Sequence, residues 1–319
     1  MRTLPSASLV LRRAALLLGA AFASLAFVET ALWAAGVPLG YPAMADGYPL
    51  AGDLETRYRL RPGSYHQWDT DYAVNALGMR GPLPERPVVL SLGDSCTFGV
   101  KVGQREAFPF VLLPGRGEVA DAGVPGWTTF NARRWLETSR SLDWHPRLVT
   151  IYFGWNDSNK ALLTETAFYR ARRWSGRSRL AALVQRLDQS LWRRDGPWAW
   201  SGLVSQVPLG DFEENIEAMA EEARAAGALP VLITPPYRPG WDGAQLADIE
   251  RYAGAVRAVA RRRGYALVDL AAEIGSMPRA GARGLFNDSA HLSARGHRLL
   301  ADRLRPWLAR AAAIEGRRE

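Results

Sequence analysis

Cysteine is almost absent. Cys96 is the only one in 319 residues, so no internal disulfide can form. A chain of this length can bury a core large enough to fold without one. Cys96 also lies too far from the N-terminus to carry the lipid of a lipoprotein. Histidine is nearly as scarce: His66, His145, His291 and His297 are the full set. They form no ligand cluster with zinc-site spacing, which disfavours a metallohydrolase, and no metal or cofactor is expected. Lysine is sparse too, so the formal charge of +8 rests almost wholly on arginine. No helix-turn-helix, zinc finger or aromatic RNA-binding signature accompanies that charge. It is therefore read as a compositional preference for arginine, with no nucleic-acid partner expected. Disorder is excluded by a composition that is 48% hydrophobic and 23% charged. No internal repeat is visible.

Long apolar runs are missing except at the start. Arg2, Arg12 and Arg13 precede a run from Ala14 to Val28, which resumes after Glu29 and ends at Gly36. Residues 14–36 can cross a bilayer as one helix. The arginines on the near side predict that residues 1–13 are cytoplasmic, and Trp33 suits the far interface. The alternative is a cleaved signal peptide, with Ala14–Phe22 as its apolar region and Ser24-Leu25-Ala26 as the cleavage site. The uncleaved anchor is preferred, because the apolar character continues past that site. The expected location is the inner membrane, with the remainder on the outer side. The alternative is secretion after cleavage.

Residues 37–86 hold many Pro, Gly and Tyr without periodicity and read as an irregular lead segment, with short strands at best. From Val88 the texture alternates. Val88–Leu92, Val119–Ala122, Leu148–Phe153, Val231–Thr234 and Ala266–Leu270 read as strands. Phe130–Ser141, Phe212–Ala226, Ala244–Arg263 and a last helix capped by Ser293 and reaching about Ala312 read as helices. This order predicts an α/β domain with a parallel sheet of about five strands and helices on both faces. Residues 158–210 interrupt it as an insertion rich in Arg and Trp. Leu180, Leu183, Leu187 and Leu191 fall there at helical spacing. The segment reads either as a lid or lipid-facing surface, or as a helical insertion with its leucines turned to the core.

Four short motifs lie at strand ends or in a late loop. Gly93-Asp94-Ser95 follows the first strand, where a serine is lifted towards solvent. Asp288-Ser289-Ala290-His291 spaces a carboxylate to hold the imidazole of its own segment, as a general base requires. Gly123-Val124-Pro125-Gly126 follows the second strand, and a glycine there lets a backbone N–H approach a substrate oxygen. Gly154-Trp155-Asn156-Asp157 follows the third strand, and Asn156 can supply another donor. With the Ser95 N–H these make three candidate oxyanion donors. Asp94 is expected to brace the Ser95 turn and Asp157 to position the Asn156 loop. His297 is read as a surface residue of the last helix.

Together the four segments resemble the four blocks of the SGNH (GDSL-like) hydrolase superfamily over residues 87–310, in its membrane-attached bacterial form. The phrase Asn75–Gly81 resembles such members as well. Residue by residue, the resemblance implies Ser95 as nucleophile, Asp288 and His291 as the rest of a triad, and Gly126 and Asn156 as oxyanion donors. Gly123 is the alternative to Gly126, which suits the family's Gly-x-Thr pattern better. The resemblance further implies a flavodoxin-like three-layer α/β/α sandwich spanning residues 87–312, and hydrolysis of acyl esters without a cofactor. The substrate would be a small-molecule or glycan ester, and the membrane would be met through the N-terminal helix. Two other functions share these residues: acyl transfer to a polysaccharide hydroxyl, and a non-catalytic glycan-binding module. The second has no need of His291.

Overall fold

The structure is a computed structural model that describes residues 7–37, 50–53, 55–114, 117–161, 163–175, 178–181, 183 and 204–315. Its centre is a five-stranded parallel sheet of β5 (Val89–Gly93), β6 (Val119–Gly123), β7 (Leu148–Tyr152), β10 (Leu229–Ile233) and β11 (Ala266–Val268). These are the five apolar runs read as strands, each shifted by a residue or two. Their order in space is β11-β10-β7-β5-β6. After β5 the chain goes to one edge to form β6, then returns to pair β7 on the other side of β5. This is the flavodoxin-like order. Its switch point lies between β5 and β7, where ligands bind beyond the strands' C-terminal ends.

Strand side chains alternate between faces, and both faces are apolar because both are covered. Leu90, Leu92, Val149, Ile151 and Leu232 pack against α4 (Thr129–Ser139), α7 (Leu209–Ala225) and α8 (Leu246–Arg263). Phe212, Ile216, Met219 and Ala223 of α7, read from the sequence as one apolar stripe, are all buried there. Val89, Val119, Leu148 and Val231 pack on the other side against α3 (Phe108–Leu112), α9 (Leu270–Ser276) and α11 (Ala294–Glu315). The three layers of the expected sandwich are therefore present. Gly264 (φ 66°) ends α8 in the left-handed conformation that a glycine adopts without a Cβ clash. Ser293 Oγ accepts the Gly296 N–H at 3.3 Å and so caps α11.

The N-terminal helix α1 runs Ala7–Ala34 and begins two turns before the expected span, taking in Arg12 and Arg13. Arginine is a good helix former, so the charged flank extends the helix without lengthening its apolar part. Leu11–Ala34 is apolar and long enough to cross a membrane, and none of it is buried against the protein. The carboxylate of Glu29 accepts the N–H of Arg179 (2.6 Å) and of Leu180 (3.0 Å), and the Ser178 hydroxyl donates to it at 2.9 Å. These bonds tie the far end of α1 to the insertion.

The lead segment departs from the irregular expectation. It holds two antiparallel hairpins: β1 (Leu50–Asp53) with β2 (Arg57–Leu60), and β3 (Gly63–Gln67) with β4 (Thr70–Val74). Leu50, Tyr58, Leu60, Tyr72 and Val74 join the main core, which is what lets such short ladders persist. Arg80 ties the segment to the domain. It is fully buried, and its guanidinium donates to the carbonyls of Phe98, Gly99 (2.7 Å) and Val102 (2.8 Å). Phe98 lies beneath it with a ring centroid 4.7 Å away. Arg80 also offsets the buried Asp121 of β6, whose carboxyl is raised by burial to about 7 although the arginine charge pulls it down.

The insertion leaves the sheet through a closed neck. β8 (Lys160–Ala161) pairs β9 (Val204–Ser205), and the Val207 N–H donates to the Asp157 carbonyl at 3.1 Å. Its helix α6 (Glu165–Ser175) is pinned by a buried ion pair of 2.5 Å between Glu165 and Arg57. Leu187, Leu191, Trp192, Trp198 and Trp200 lie outside the described residues.

Arg80→Met leaves Asp121 without its counter-charge and the Phe98 and Val102 carbonyls without a donor, while the Gly99 carbonyl keeps the Val102 N–H. It should lower unfolding stability by about 3–5 kcal/mol in chemical denaturation followed by tryptophan fluorescence. The loss should be smaller at pH 5 than at pH 8. A carboxyl raised to about 7 is protonated at pH 5, and then needs no counter-charge.

Candidate active site

The crevice beyond β5 and β7 collects the four motifs. Ser95 is the first residue of α2 (Ser95–Phe98), a single turn that starts right after the strand. Asp94 is its N-cap, with the carboxylate accepting the Cys96 N–H at 2.8 Å. As the first helical residue, Ser95 keeps an N–H that no helical carbonyl takes up. Of residues 91–100 only Ser95 is not fully buried, so the turn lifts this one side chain out of the sheet.

His291 comes from the opposite end of the sequence. It sits in a tight loop between α10 (Arg279–Arg283) and α11, closed by an antiparallel bridge from Phe286 to Leu292 and by the Asn287 N–H on the His291 carbonyl at 2.8 Å. Within it, Asp288 Oδ1 accepts the N–H groups of Ala290 (3.0 Å) and His291 (2.8 Å). The ring nitrogen His291 Nδ1 lies 2.8 Å from Asp288 Oδ2, and Nε2 lies 2.9 Å from Ser95 Oγ. Serine, imidazole and carboxylate thus form one hydrogen-bonded line across 196 residues of sequence.

The two glycine alternatives separate on geometry. The Gly123 N–H is consumed by Asp121 Oδ1 at 3.0 Å, and Gly123 is buried. Gly126 is partly exposed with φ 84°, and among the described residues its N–H donates to no protein acceptor. Asn156 lies on α5 (Trp155–Ser158). Its amide donates to Asp94 Oδ2 at 3.3 Å and to the Trp127 carbonyl at 3.0 Å. One side chain thereby links the residue before Ser95 to the residue after Gly126. Asp157 holds the same loop from beneath, accepting the N–H (2.8 Å) and the hydroxyl (2.6 Å) of Thr129 at the start of α4.

Residues 91–299, well over half of the chain, match the profile of the GDSL-like lipase/acylhydrolase family. The chain belongs to that family. It is accordingly an SGNH-type esterase/lipase, a carboxylic ester hydrolase. Among solved structures, it is similar to a lipase/acylhydrolase from Enterococcus faecalis, with 21% identity, 72% of this chain and 95% of that chain covered, and a TM-score of 0.47. It is also similar to an acetylxylan esterase from Geobacillus stearothermophilus, with 18% identity, 71% and 95% covered, and a TM-score of 0.45. A search of curated protein sequences finds no match.

The hydrolase's site is electrostatically graded. Burial alone would raise the Asp288 carboxyl, but the hydrogen bond and charge of His291, with the Lys101 ammonium 2.8 Å away, hold it far below the ordinary carboxylate range. Asp94 is fully buried, which pushes it up to about 6 despite the Cys96 N–H and the nearby His291. Burial likewise raises Asp157 to about 7 against its Thr129 hydrogen bonds. Cys96, beside Ser95, packs inward with its thiol 3.8 Å from the Ala290 carbonyl. Burial drives that thiol well above its usual pKa, so it stays protonated and weakly nucleophilic.

His297 is not a surface residue. It is buried, accepts the Phe108 N–H on Nδ1 at 3.2 Å and stacks on the Phe108 ring. Burial, then the charges of Arg80 and His291, lower it to about 3, so it is a neutral core histidine. The helical period around it gives no sign of this, because α3 and the sheet cover that side of α11. Two polar residues at the site escape sequence reasoning altogether. Lys101 reaches Asp288 across 187 residues, and no local pattern announces it. Arg80 lies in the phrase Asn75–Gly81, but nothing in that phrase says which loop it clamps. Among the described residues, no group of His, Cys, Asp and Glu side chains is arranged to hold a metal.

The two glycines should respond differently to alanine. A Cβ on Gly123 would meet the Phe98 backbone nitrogen at 2.3 Å, whereas one on Gly126 would meet the Tyr58 hydroxyl, the end of a side chain, at 2.4 Å. Gly123→Ala should fail to accumulate as folded protein. Gly126→Ala should fold, with a stability loss of about 1–3 kcal/mol from its positive φ, and should be impaired in ester hydrolysis. Urea denaturation and turnover of an acetyl ester read the two effects separately.

Proposed function

We propose that Ser95, His291 and Asp288 form the catalytic triad, and that the N–H of Ser95, the N–H of Gly126 and the Asn156 amide form the oxyanion hole. The observation that carries this reading is the unbroken line from Ser95 Oγ through His291 to Asp288, at 2.9 and 2.8 Å. Ser95 Oγ attacks the ester carbonyl while His291 Nε2 takes the hydroxyl proton. Asp288 holds the Nδ1–H tautomer and stabilises the imidazolium that results. The tetrahedral oxyanion collects hydrogen bonds from the three donors, and Asn156 joins them by exchanging the longer of its two bonds, that to Asp94 Oδ2 at 3.3 Å, for one to the oxyanion. On collapse, the bond to the alkoxy oxygen breaks and His291 returns the proton to that leaving alcohol. Water then attacks the acyl-serine, again giving its proton to His291, and the carboxylic acid departs as Ser95 is reprotonated.

The substrate class proposed is an acetyl or other short-chain acyl ester on envelope carbohydrate. The proposed organisation is a cytoplasmic stretch 1–13, an uncleaved single-pass anchor 14–36, a lead segment 37–86 and a hydrolase domain 87–312 carrying the insertion 158–210. The enzyme would then work at the outer face of the inner membrane. The unbroken helix Ala7–Ala34, whose apolar span runs past the Ser24-Leu25-Ala26 site to Ala34, supports a retained anchor.

Acetylated oligosaccharide incubated with the full chain in detergent should release free acetate. Ser95→Ala and His291→Ala should abolish release. Asn156→Ala should lower kcat about 100- to 1000-fold with a small change in KM, because an oxyanion donor acts chiefly in the transition state. A folded Asn156→Ala enzyme with unchanged kcat would remove Asn156 from the oxyanion hole. Transfer of acetate to an added glycan hydroxyl, in place of its release, would replace hydrolysis by acyl transfer.

A further inference from the structure

The carboxylate of Asp288 has two nitrogen neighbours, the His291 ring and the Lys101 ammonium, and only the first belongs to the triad. Lys101 Nζ lies 2.8 Å from Asp288 Oδ2, the same oxygen that His291 Nδ1 approaches at 2.8 Å. Both side chains of this ion pair are about one-third exposed, so the contact sits at the rim of the site where water and salt reach it. The backbone that presents Lys101 is held on several sides. Arg80 grips the carbonyls of Gly99 and Val102 on either side of it. The Asn287 amide, one residue before Asp288, donates to the Lys101 carbonyl at 3.2 Å. Lys101 itself has φ 65°, the left-handed region in which a lysine is strained and a glycine is not. The loop thus keeps a strained, positively charged residue where a glycine would be easier to accommodate, and it fixes that residue against the triad carboxylate.

We infer that Lys101 is a positioning residue of the esterase reaction: its ammonium shares the Asp288 carboxylate with His291 and limits how far that carboxylate stabilises the imidazolium. This rests on the triad reading above. A carboxylate that serves only the imidazole favours the protonated ring strongly and keeps the base occupied by a proton up to higher pH. A second cation on the same oxygen weakens that preference, so the free base is available at lower pH. The other titratable groups facing the pair are Asp94 and Cys96 from the nucleophile turn and His297 from α11. Cys96 and His297 are fully buried and uncharged, and Asp94 is partnered by Cys96 N–H and Asn156. Lys101 is therefore a cation that can be removed from beside Asp288 without removing a partner of these groups.

The test is the rate of covalent labelling by a fluorophosphonate, measured against pH for the full chain in detergent micelles. Labelling needs the Ser95 nucleophile and its base but no knowledge of the natural substrate. Wild type, Lys101→Met, Lys101→Gly and Lys101→Arg are compared. The acidic limb should move upward by about half a pH unit to one unit in Lys101→Met and Lys101→Gly. It should stay at the wild-type position in Lys101→Arg, and the gap should narrow at high salt. Lys101→Gly relieves the backbone strain, so a shift shared by it and Lys101→Met cannot come from misfolding. Coincident limbs in all four proteins, with wild type labelling normally, would overturn the inference and leave the triad reading intact. Absence of labelling in folded wild type at every pH would overturn the triad reading, and this inference with it.

Discussion

Where β5 and β7 part, their continuing chains must be held at a fixed separation, and one buried carboxylate spans the gap. Asp94 accepts the Cys96 N–H on one oxygen and the Asn156 amide on the other, and the same amide reaches the Trp127 carbonyl. Inside the protein such bonds are strong, and leaving one unmade is costly, so the serine turn, the Gly126 loop and the Asn156 turn are locked to one another. Asp157 repeats the device one layer deeper by holding Thr129. What an acyl-transfer site requires is donors and a nucleophile that are already in place when charge develops, and this network supplies that rigidity.

The second support comes from outside the sandwich. Hairpins β1–β2 and β3–β4 are too short to stand alone, but they bury aromatic and aliphatic residues in the main core. They also deliver Arg80 beneath the loop that follows α2. A buried arginine with three carbonyl partners and two aromatic faces is a stiff brace. It grips the carbonyls of Phe98 and Gly99 at the end of the turn that Ser95 begins, and that of Val102 just past Lys101. The lead segment is thus part of the scaffold of the candidate site as well as the connection to α1.

Much of this was legible in the sequence because it is written locally. The five strands and the main helices announce themselves by apolar runs, caps and terminal glycines, with end shifts of a residue or two. The motifs around Ser95, Asn156 and His291 sit at the ends of those elements, so placing the strands places the motifs. Relations that cross the sequence were not legible. Lys101 meets Asp288, and Arg80 meets Phe98 and Val102, through tertiary folding with no fixed spacing. His297 was misread because its burial depends on α3 packing over α11, which the period of α11 alone does not reveal. Residues 50–74 read as irregular with short strands at best, and their pairing into two hairpins was not legible because the alternation is short and interrupted by turn residues. The choice between Gly123 and Gly126 needed the Asp121 carboxylate, which takes the first N–H and leaves the second free.

The central claim is that His291 activates Ser95 and no other serine. Peptide mapping of the full chain after reaction with a fluorophosphonate tests it most directly. The account predicts a single adduct, on Ser95, that is absent from the Ser95→Ala and His291→Ala proteins. An adduct on a different serine, or undiminished modification of Ser95 in His291→Ala, would contradict it.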